Sequence, residues 1–163
     1  MKKTLFILFS TYVFFSTGQK VGNIAFDNTL KLLLNNSVSQ LSVPEAAKLE
    51  GIVFIDARKY EEYSVSHIKE ALWVGFDDFN INRLHDIPYD KTLIIYCSVG
   101  YRSEKIGEQL LAAGYNKVYN LYGGIFEWVN QGYPVYSDST QTAKVHAYDK
   151  AWGIWLQKGE KMY

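Results

Sequence analysis

Short apolar runs alternate along the chain with segments whose apolar residues recur at helical spacing. The clearest apolar run covers residues 92–96 and contains the β-branched pair Ile94 and Ile95, which predicts a buried strand. Similar runs predict further strands at 38–41, 52–55, 71–74 and 118–121. Strands that alternate with helices are typical of βα units, so the pattern predicts an α/β fold with an open, mainly parallel, five-stranded sheet.

Capping patterns place the predicted helices between these strands. Ser42 and Glu45 form a capping-box pattern that begins a helix, and Gly51 is expected to end it. Apolar residues at helical spacing predict another helix after residue 102, which stops at Gly114. Helical patterns also cover residues 26–34, 60–67 and 125–130, of which the second is a short helix or a turn.

The first residues differ from the rest of the chain. Lys2 and Lys3 precede an apolar run that is too short to span a bilayer, and small residues lie just before Gln19. The pattern predicts a signal peptide that is cleaved after Gly18, with an uncleaved anchor as the alternative. Cleavage would give a periplasmic or secreted protein with no stable membrane anchor. A length of 163 residues suits one domain. The predicted segments are the signal peptide at 1–18, a helical lead-in at 19–37, the domain at 38–136 and a tail at 137–163 that docks on it.

Composition narrows the class of protein. Hydrophobic residues make up 48% of the chain and charged residues 21%, which fits a globular protein rather than a disordered one. Lysine plus arginine and aspartate plus glutamate number 17 each, so the overall charge gives no reason to expect a nucleic-acid partner. No spacing of candidate ligands points to a metal site, and no cofactor is expected.

The tail carries apolar and aromatic residues after a polar linker. Their near-helical spacing predicts a helix or an extended arm that packs on the domain, with a partner-binding element as the alternative. His146 is likewise expected to pack on the domain. The residues concerned are Val145, Tyr148, Trp152, Trp155 and Leu156.

Cys97, the only cysteine in the chain, follows the clearest strand and precedes a helix. Open parallel sheets bind ligands at this edge, and an unpaired cysteine in an exported protein is a candidate reactive thiol. The short loop after it has a central glycine, so its N–H groups can point at a thiolate or a bound anion. Arg102 adds a donor fork suited to an oxyanion. A buried core cysteine followed by an ordinary turn is the alternative.

The loop Cys97-Ser98-Val99-Gly100-Tyr101-Arg102-Ser103 resembles the active-site loop of the rhodanese homology domain, in which the cysteine carries a sulfane sulfur as a persulfide. Three other blocks agree, in order along residues 38–136. They are Asp56-Ala57-Arg58 with Glu61-Glu62-Tyr63, His67-Ile68 with Ala71, and Leu121-Tyr122-Gly123-Gly124 with Trp128 and Gly132-Tyr133-Pro134-Val135. The resemblance implies helices on both faces of the sheet and a sulfurtransferase that moves sulfur from a small donor such as thiosulfate to a thiol or cyanide.

The resemblance and the chemistry together assign roles. Cys97 is the nucleophile, and the loop binds the substrate through Ser98, Val99, Gly100, Tyr101 and Arg102. Arg102 is expected to hold the anionic group of the donor. Asp56 and Arg58 are expected to give structural support as a buried polar pair, with Glu62 a candidate partner for Arg58. His67 is expected to be a hydrogen-bonded scaffold residue.

The sequence departs from the family pattern at two places. Ser66, Lys69 and Glu70 replace residues of the family's turn around His67, away from the cysteine in sequence. Ser98 stands where several thiosulfate-specific relatives carry arginine, so a preference for thiosulfate does not follow.

Three other functions stay open as alternatives. Related cysteine phosphatases have a loop one residue longer than the four residues that separate Cys97 from Arg102 here, which favours sulfur over a phosphoryl group. Rhodanese-like domains also occur as non-catalytic binding modules, although those usually lack the cysteine. A redox-sensing thiol normally lies near a second, resolving cysteine, which this chain does not have.

Overall fold

The computed structural model describes residues 21–163, and the expected signal peptide lies outside them. Helices are α1 (Ile24–Leu33), α2 (Val43–Ala46), α3 (Tyr60–Val65), α4 (Tyr101–Ala112) and α5 (Gly124–Asn130), with 3-10 turns at Ile81–Leu84 and Trp152–Trp155. Strands are β1 (Ser39–Leu41), β2 (Val53–Asp56), β3 (Leu72–Trp73), β4 (Thr92–Tyr96), β5 (Lys117–Leu121), β6 (Val135–Ser137), β7 (Thr140–Thr142), β8 (Lys144–His146) and β9 (Glu160–Met162).

Five strands form one parallel sheet in the order β1-β5-β4-β2-β3. The strand that precedes the cysteine, β4, lies at the centre, between β5 and β2. Because all five strands run the same way, their carboxyl ends meet at one edge, where Cys97 follows β4. The predicted α/β fold with a five-stranded parallel sheet is confirmed.

The sheet separates two apolar cores. Successive side chains of a strand point to opposite faces, so Ile94 and Tyr96 join one core while Leu93 and Ile95 join the other. Helices α1 and α5 pack in the first core, and α4 packs in the second. A strand that is buried on both faces reads as a continuous apolar run, which is why 92–96 is the strongest strand signal in the sequence.

The helix predicted to run from Ser42 to Gly51 is shorter in the structure. Its capping box is present, but α2 ends at Ala46. Beyond it the amides of Lys48 and Leu49 bond to carbonyls only three residues back, at 3.2 Å each, so the chain leaves the α-helical pattern there. The predicted end at Gly51 is therefore wrong.

The tail packs on the first core without forming an α-helix. Strand β8 pairs with β9 in parallel, and the segment between them contains only one 3-10 turn. The indole of Trp155 stacks on Phe26 of α1, with ring centroids 5.2 Å apart. Val145, Ala147 and Leu156 are fully buried. Within residues 21–163 no helix is both long and apolar enough to span a membrane.

Candidate active site

Cys97 lies at the carboxyl end of β4, and the loop after it leads directly into α4. Its thiol is free and buried, and the Gly100 N–H donates a hydrogen bond to its Sγ at 3.1 Å. Gly100 is the N-cap of α4 and has φ +123°, a conformation that side-chain-bearing residues rarely adopt. The glycine therefore allows the loop to fold back until its amide meets the sulfur.

The neighbouring strand β5 fixes this loop. The Asn120 side-chain amide donates to the Gly100 carbonyl at 3.0 Å, and its oxygen accepts from the Ser103 hydroxyl at 2.7 Å. Asn120 is fully buried, so these bonds are shielded from water. The loop is thus preorganised before any ligand binds.

The start of α5 holds the other side of the loop. Backbone amides of Ile125 and Phe126 donate to the carbonyls of Cys97 and Ser98 at 2.9 and 3.1 Å. This approach requires glycine at position 124, where φ is +56° and an added Cβ would lie 2.7 Å from the Ser98 carbonyl carbon and oxygen. The Gly-Gly turn seen in the sequence therefore supports the cysteine loop directly.

Replacing Gly124 by alanine is expected to push the loop away from α5. The clash with backbone atoms should cost roughly 2 kcal/mol beyond the strain of a left-handed alanine, and should also reduce the reactivity of Cys97. Gly132→Ala is the matched control, because Gly132 has φ +87° but nothing within 4 Å of the added carbon. Urea unfolding of both variants measures the difference; equal losses of stability would contradict the proposed contact.

Arg102 is held by a buried network beside the thiol. Its two terminal nitrogens donate to the carboxylate of Glu62 at 2.6 and 2.8 Å, and one of them also donates to the Ser98 hydroxyl at 3.0 Å. The Ser98 hydroxyl donates in turn to Glu62 at 3.1 Å. The expected pairing of Glu62 with Arg58 is therefore wrong: α3 directs this carboxylate to the loop arginine instead.

The charges in this network are fixed by their contacts. Burial would raise the pKa of Glu62, but hydrogen bonds and charge attraction from Arg102 outweigh it and hold that pKa below its ordinary value. Burial would lower the pKa of Arg102, yet Glu62 and the nearby Cys97 sulfur raise it. Arg102 is thus a permanent cation that interacts electrostatically with Cys97.

Part of the Arg102 donor fork is engaged within the protein. Glu62 and Ser98 occupy its terminal nitrogens, and the ring of Tyr148 lies over its guanidinium at 4.9 Å. The expectation that Arg102 holds the anionic group of a donor stays a prediction, because Arg102 also lines the cavity. Its contacts give it the role of orienting the loop and supplying positive charge near the sulfur.

Asp56 and Arg58 form a fully buried ion pair at the end of β2. The closest contact is 2.6 Å, and Arg58 also donates to the Ser66 carbonyl at 2.7 Å and lies over the ring of Tyr96. Neither residue lines the cavity next to Cys97. The contacts suit structural support, because they join β2 and β4 to the turn before His67.

His67 sits in the same scaffold. Its backbone pairs with Tyr136, and its ring stacks on Tyr63 with centroids 4.1 Å apart. Its Nδ1 lies 3.1 Å from the Tyr63 carbonyl oxygen. Nearby Glu70, where the family pattern has glycine, takes φ +60° and completes the altered turn.

A cavity of about 230 Å³ opens over the thiol. Four of the predicted loop residues line it together with Cys97, whereas Gly100 contributes its amide to the sulfur. Three wall residues were not predicted as site residues: Leu33 from α1, and Tyr148 and Trp152 from the tail. The complete lining is Leu33, Cys97, Ser98, Val99, Tyr101, Arg102, Tyr148 and Trp152.

The sequence contained part of the information needed to predict that Tyr148 and Trp152 lie at the site. The aromatic spacing showed that they pack on the domain, but nothing along the chain indicated which surface they reach. No group of three or more potential metal ligands lies together anywhere in residues 21–163.

The site has three parts: a thiol at the end of the central strand of a parallel α/β sheet, a backbone amide that donates to it, and an ion-paired arginine nearby. These parts describe an α/β protein with a cysteine-based active site. The model of the Rhodanese-like domain matches residues 40–131. The chain belongs to the rhodanese-like family.

Two relatives illustrate the range of the family. A protein named sulfurtransferase from Allochromatium vinosum is 32% identical over 103 residues, which covers 63% of this chain and 95% of that protein. A tRNA uridine(34) hydroxylase from Pectobacterium atrosepticum is 39% identical over 85 residues, covering 48% of this chain and 24% of that protein. The chain thus spans about a quarter of the length of the hydroxylase relatives.

Solved structures show the same fold. A thiosulfate sulfurtransferase from Pseudomonas aeruginosa superimposes with a TM-score of 0.58 at 22% identity, over 78% of this chain and 25% of that chain. A rhodanese-related protein from Thermoplasma volcanium gives 0.54 at 21% identity, over 61% of this chain and 98% of that one. At such identities the likeness concerns the fold alone.

Proposed function

We propose that the protein is a sulfurtransferase that carries a sulfane sulfur on Cys97. The observation that supports this most directly is the hydrogen bond from the Gly100 amide to the Cys97 sulfur, at the floor of an accessible cavity. A preorganised donor at this position stabilises a thiolate before the reaction and a persulfide after it. The positive charge of Arg102 acts in the same direction.

The reaction has two steps that mirror each other. The Cys97 thiolate attacks the outer sulfur of a donor, so a bond forms between the two sulfurs while the donor's bond to that sulfur breaks. The electron pair of the broken bond leaves with the donor remnant, an anion such as sulfite from thiosulfate. A thiol or cyanide acceptor then attacks the outer sulfur and restores the Cys97 thiolate. No net oxidation or reduction of the protein occurs over the cycle.

Intact-mass spectrometry tests the first step. The purified protein is incubated with thiosulfate, a polysulfide or a mercapto acid, and at least one donor is expected to add the mass of one sulfur atom. Cyanide should remove that mass and release thiocyanate. Failure to gain sulfur from any sulfane donor would contradict the proposal and favour a non-catalytic binding module.

The same protein sample is also assayed for hydrolysis of a phosphate monoester. Cysteine phosphatases use a similar thiolate and arginine, so turnover of p-nitrophenyl phosphate without sulfur transfer would favour that alternative. We expect no turnover, because the loop has only four residues between Cys97 and Arg102 and both terminal nitrogens of Arg102 are already bound. Export of the protein, expected from residues 1–18, stays a separate proposal.

A further inference from the structure

The cavity over Cys97 is partly built by segments outside the family's domain. The matched domain covers residues 40–131, but Leu33, Tyr148 and Trp152 line the cavity from before and after it. The sheet and loop therefore supply the reacting sulfur, whereas the lead-in helix and the tail supply part of the wall that any substrate must contact. In such an arrangement the domain carries out the reaction, while the added segments can determine which substrate binds.

The tail holds its two aromatic side chains in place with specific backbone contacts. Tyr148 has φ +66°, an uncommon conformation for a residue with a bulky side chain, and its amide donates to the His146 ring at 3.1 Å. The Trp152 amide donates to the Asp149 carboxylate at 2.8 Å, and the Gly153 amide donates to the Asp149 carbonyl at 2.8 Å. Strain that is maintained in this way commonly marks functional sites.

The side chains of the wall offer mostly apolar surface. Leu33, Trp152 and Tyr148 are apolar or aromatic, and Tyr101 adds a further ring. The cation of the wall, Arg102, is ion-paired with the buried carboxylate of Glu62, and the ring of Tyr148 lies over its guanidinium. An apolar group beside the reacting sulfur therefore finds aromatic faces to pack against.

We propose that Tyr148, Trp152 and Leu33 make this site selective for organic sulfur carriers, in which the sulfur to be transferred is linked to a compact apolar or aromatic group. The inference rests on the proposed sulfur transfer and specifies its substrate class. The apolar group packs against the tail while the outer sulfur meets Cys97. The tail, together with Leu33 of α1, thus determines specificity, and these residues take no part in bond making.

Two thiosulfonates of equal charge provide the probe. With benzenethiosulfonate, the Cys97 thiolate bonds to the outer sulfur, the bond between that sulfur and the sulfonyl sulfur breaks, and benzenesulfinate leaves with the electron pair. Methanethiosulfonate reacts in the same way but carries only a methyl group. We take the kcat/KM of benzenethiosulfonate over that of methanethiosulfonate, and divide it by the ratio of the rates at which the two compounds react with cyanide without enzyme. This normalised ratio is expected to exceed about 10.

Variants assign the preference to the tail. Tyr148→Asn removes the ring but suits the left-handed backbone, and Trp152→Leu keeps apolar volume in the partly buried position. Each should reduce the normalised ratio at least threefold. Ile154→Ala is the matched control, because Ile154 belongs to the same 3-10 turn, is 62% exposed and does not line the cavity. It should leave the ratio unchanged, and circular dichroism checks that every variant is folded.

The outcomes separate this inference from the proposed function. Absence of a sulfur adduct with both thiosulfonates and all other donors would overturn sulfur transfer itself. Adduct formation at equal normalised rates would overturn only the preference for an apolar carrier. A clear preference that persists in folded Tyr148→Asn and Trp152→Leu proteins would overturn the assignment of specificity to the tail.

Discussion

Cys97→Ala is expected to lose sulfur transfer from every donor, by at least about a thousandfold, while retaining the parent fold. The side chain is buried, but only one sulfur atom is removed, and the hydrogen bond lost with it comes from the Gly100 amide. A stability loss of about 1 kcal/mol is therefore expected. Thiocyanate formation and urea unfolding, measured on the same preparation, separate loss of chemistry from loss of structure.

Cys97→Ser sharpens this comparison. The serine hydroxyl can accept the same bond from the Gly100 amide, but it does not ionise near neutral pH and forms no persulfide. We expect this variant to be as inactive as the alanine variant and at least as stable. Because the chain contains no second cysteine, sulfur transfer that survives either substitution would rule out the proposed persulfide mechanism.

The fold could be predicted because its information is local. The apolar run at 92–96 is continuous because β4 is buried on both faces. Five consecutive residues are therefore enough to predict this strand. The position of Cys97 follows from the same strand, since the residue after a central parallel strand lies at the ligand-binding edge. Glycine at position 100 then indicated a loop with unusual backbone geometry, which the structure has.

The partners in the site could not be predicted in the same way. Glu62 is four residues from Arg58 but forty from Arg102, and sequence distance favoured the wrong arginine. The choice depends on where α3 lies relative to the loop after β4, which is a tertiary property. The same holds for Tyr148, whose ring reaches Arg102 only because the β8 and β9 pairing returns the tail to the loop.

Helix α2 shows that local sequence signals can predict where a helix begins without predicting where it ends. The capping box of α2 is correctly predicted because both of its residues lie within one turn. The end of the helix depends on how the chain must reach β2, and the sequence up to Gly51 contains no residue that marks Ala46 as the last one. Start signals are thus more specific than stop signals in this segment.

Glu62→Gln is expected to destabilise the protein by about 3–5 kcal/mol near neutral pH, because it removes the charge that compensates a buried arginine. The Glu62 and Arg102 side chains are 3% and 10% exposed, so water cannot replace the lost carboxylate contacts. The amide can keep one hydrogen bond to Arg102, but it cannot accept two charge-assisted bonds. The free energy of unfolding in urea measures the loss, with Glu61→Gln on the exposed side of α3 as the matched control.

The same pair predicts a dependence of stability on pH. The pKa of Glu62 is lower in the folded protein than in the unfolded chain, where it is about 4.3. Its contribution to stability is therefore complete above that value and is lost as the pH falls below it and through the folded-state pKa. The unfolding free energies of the parent and of Glu62→Gln should differ by a constant amount above about pH 5 and converge under more acidic conditions. A difference that persists unchanged to pH 3 would show that the glutamine variant loses packing rather than charge.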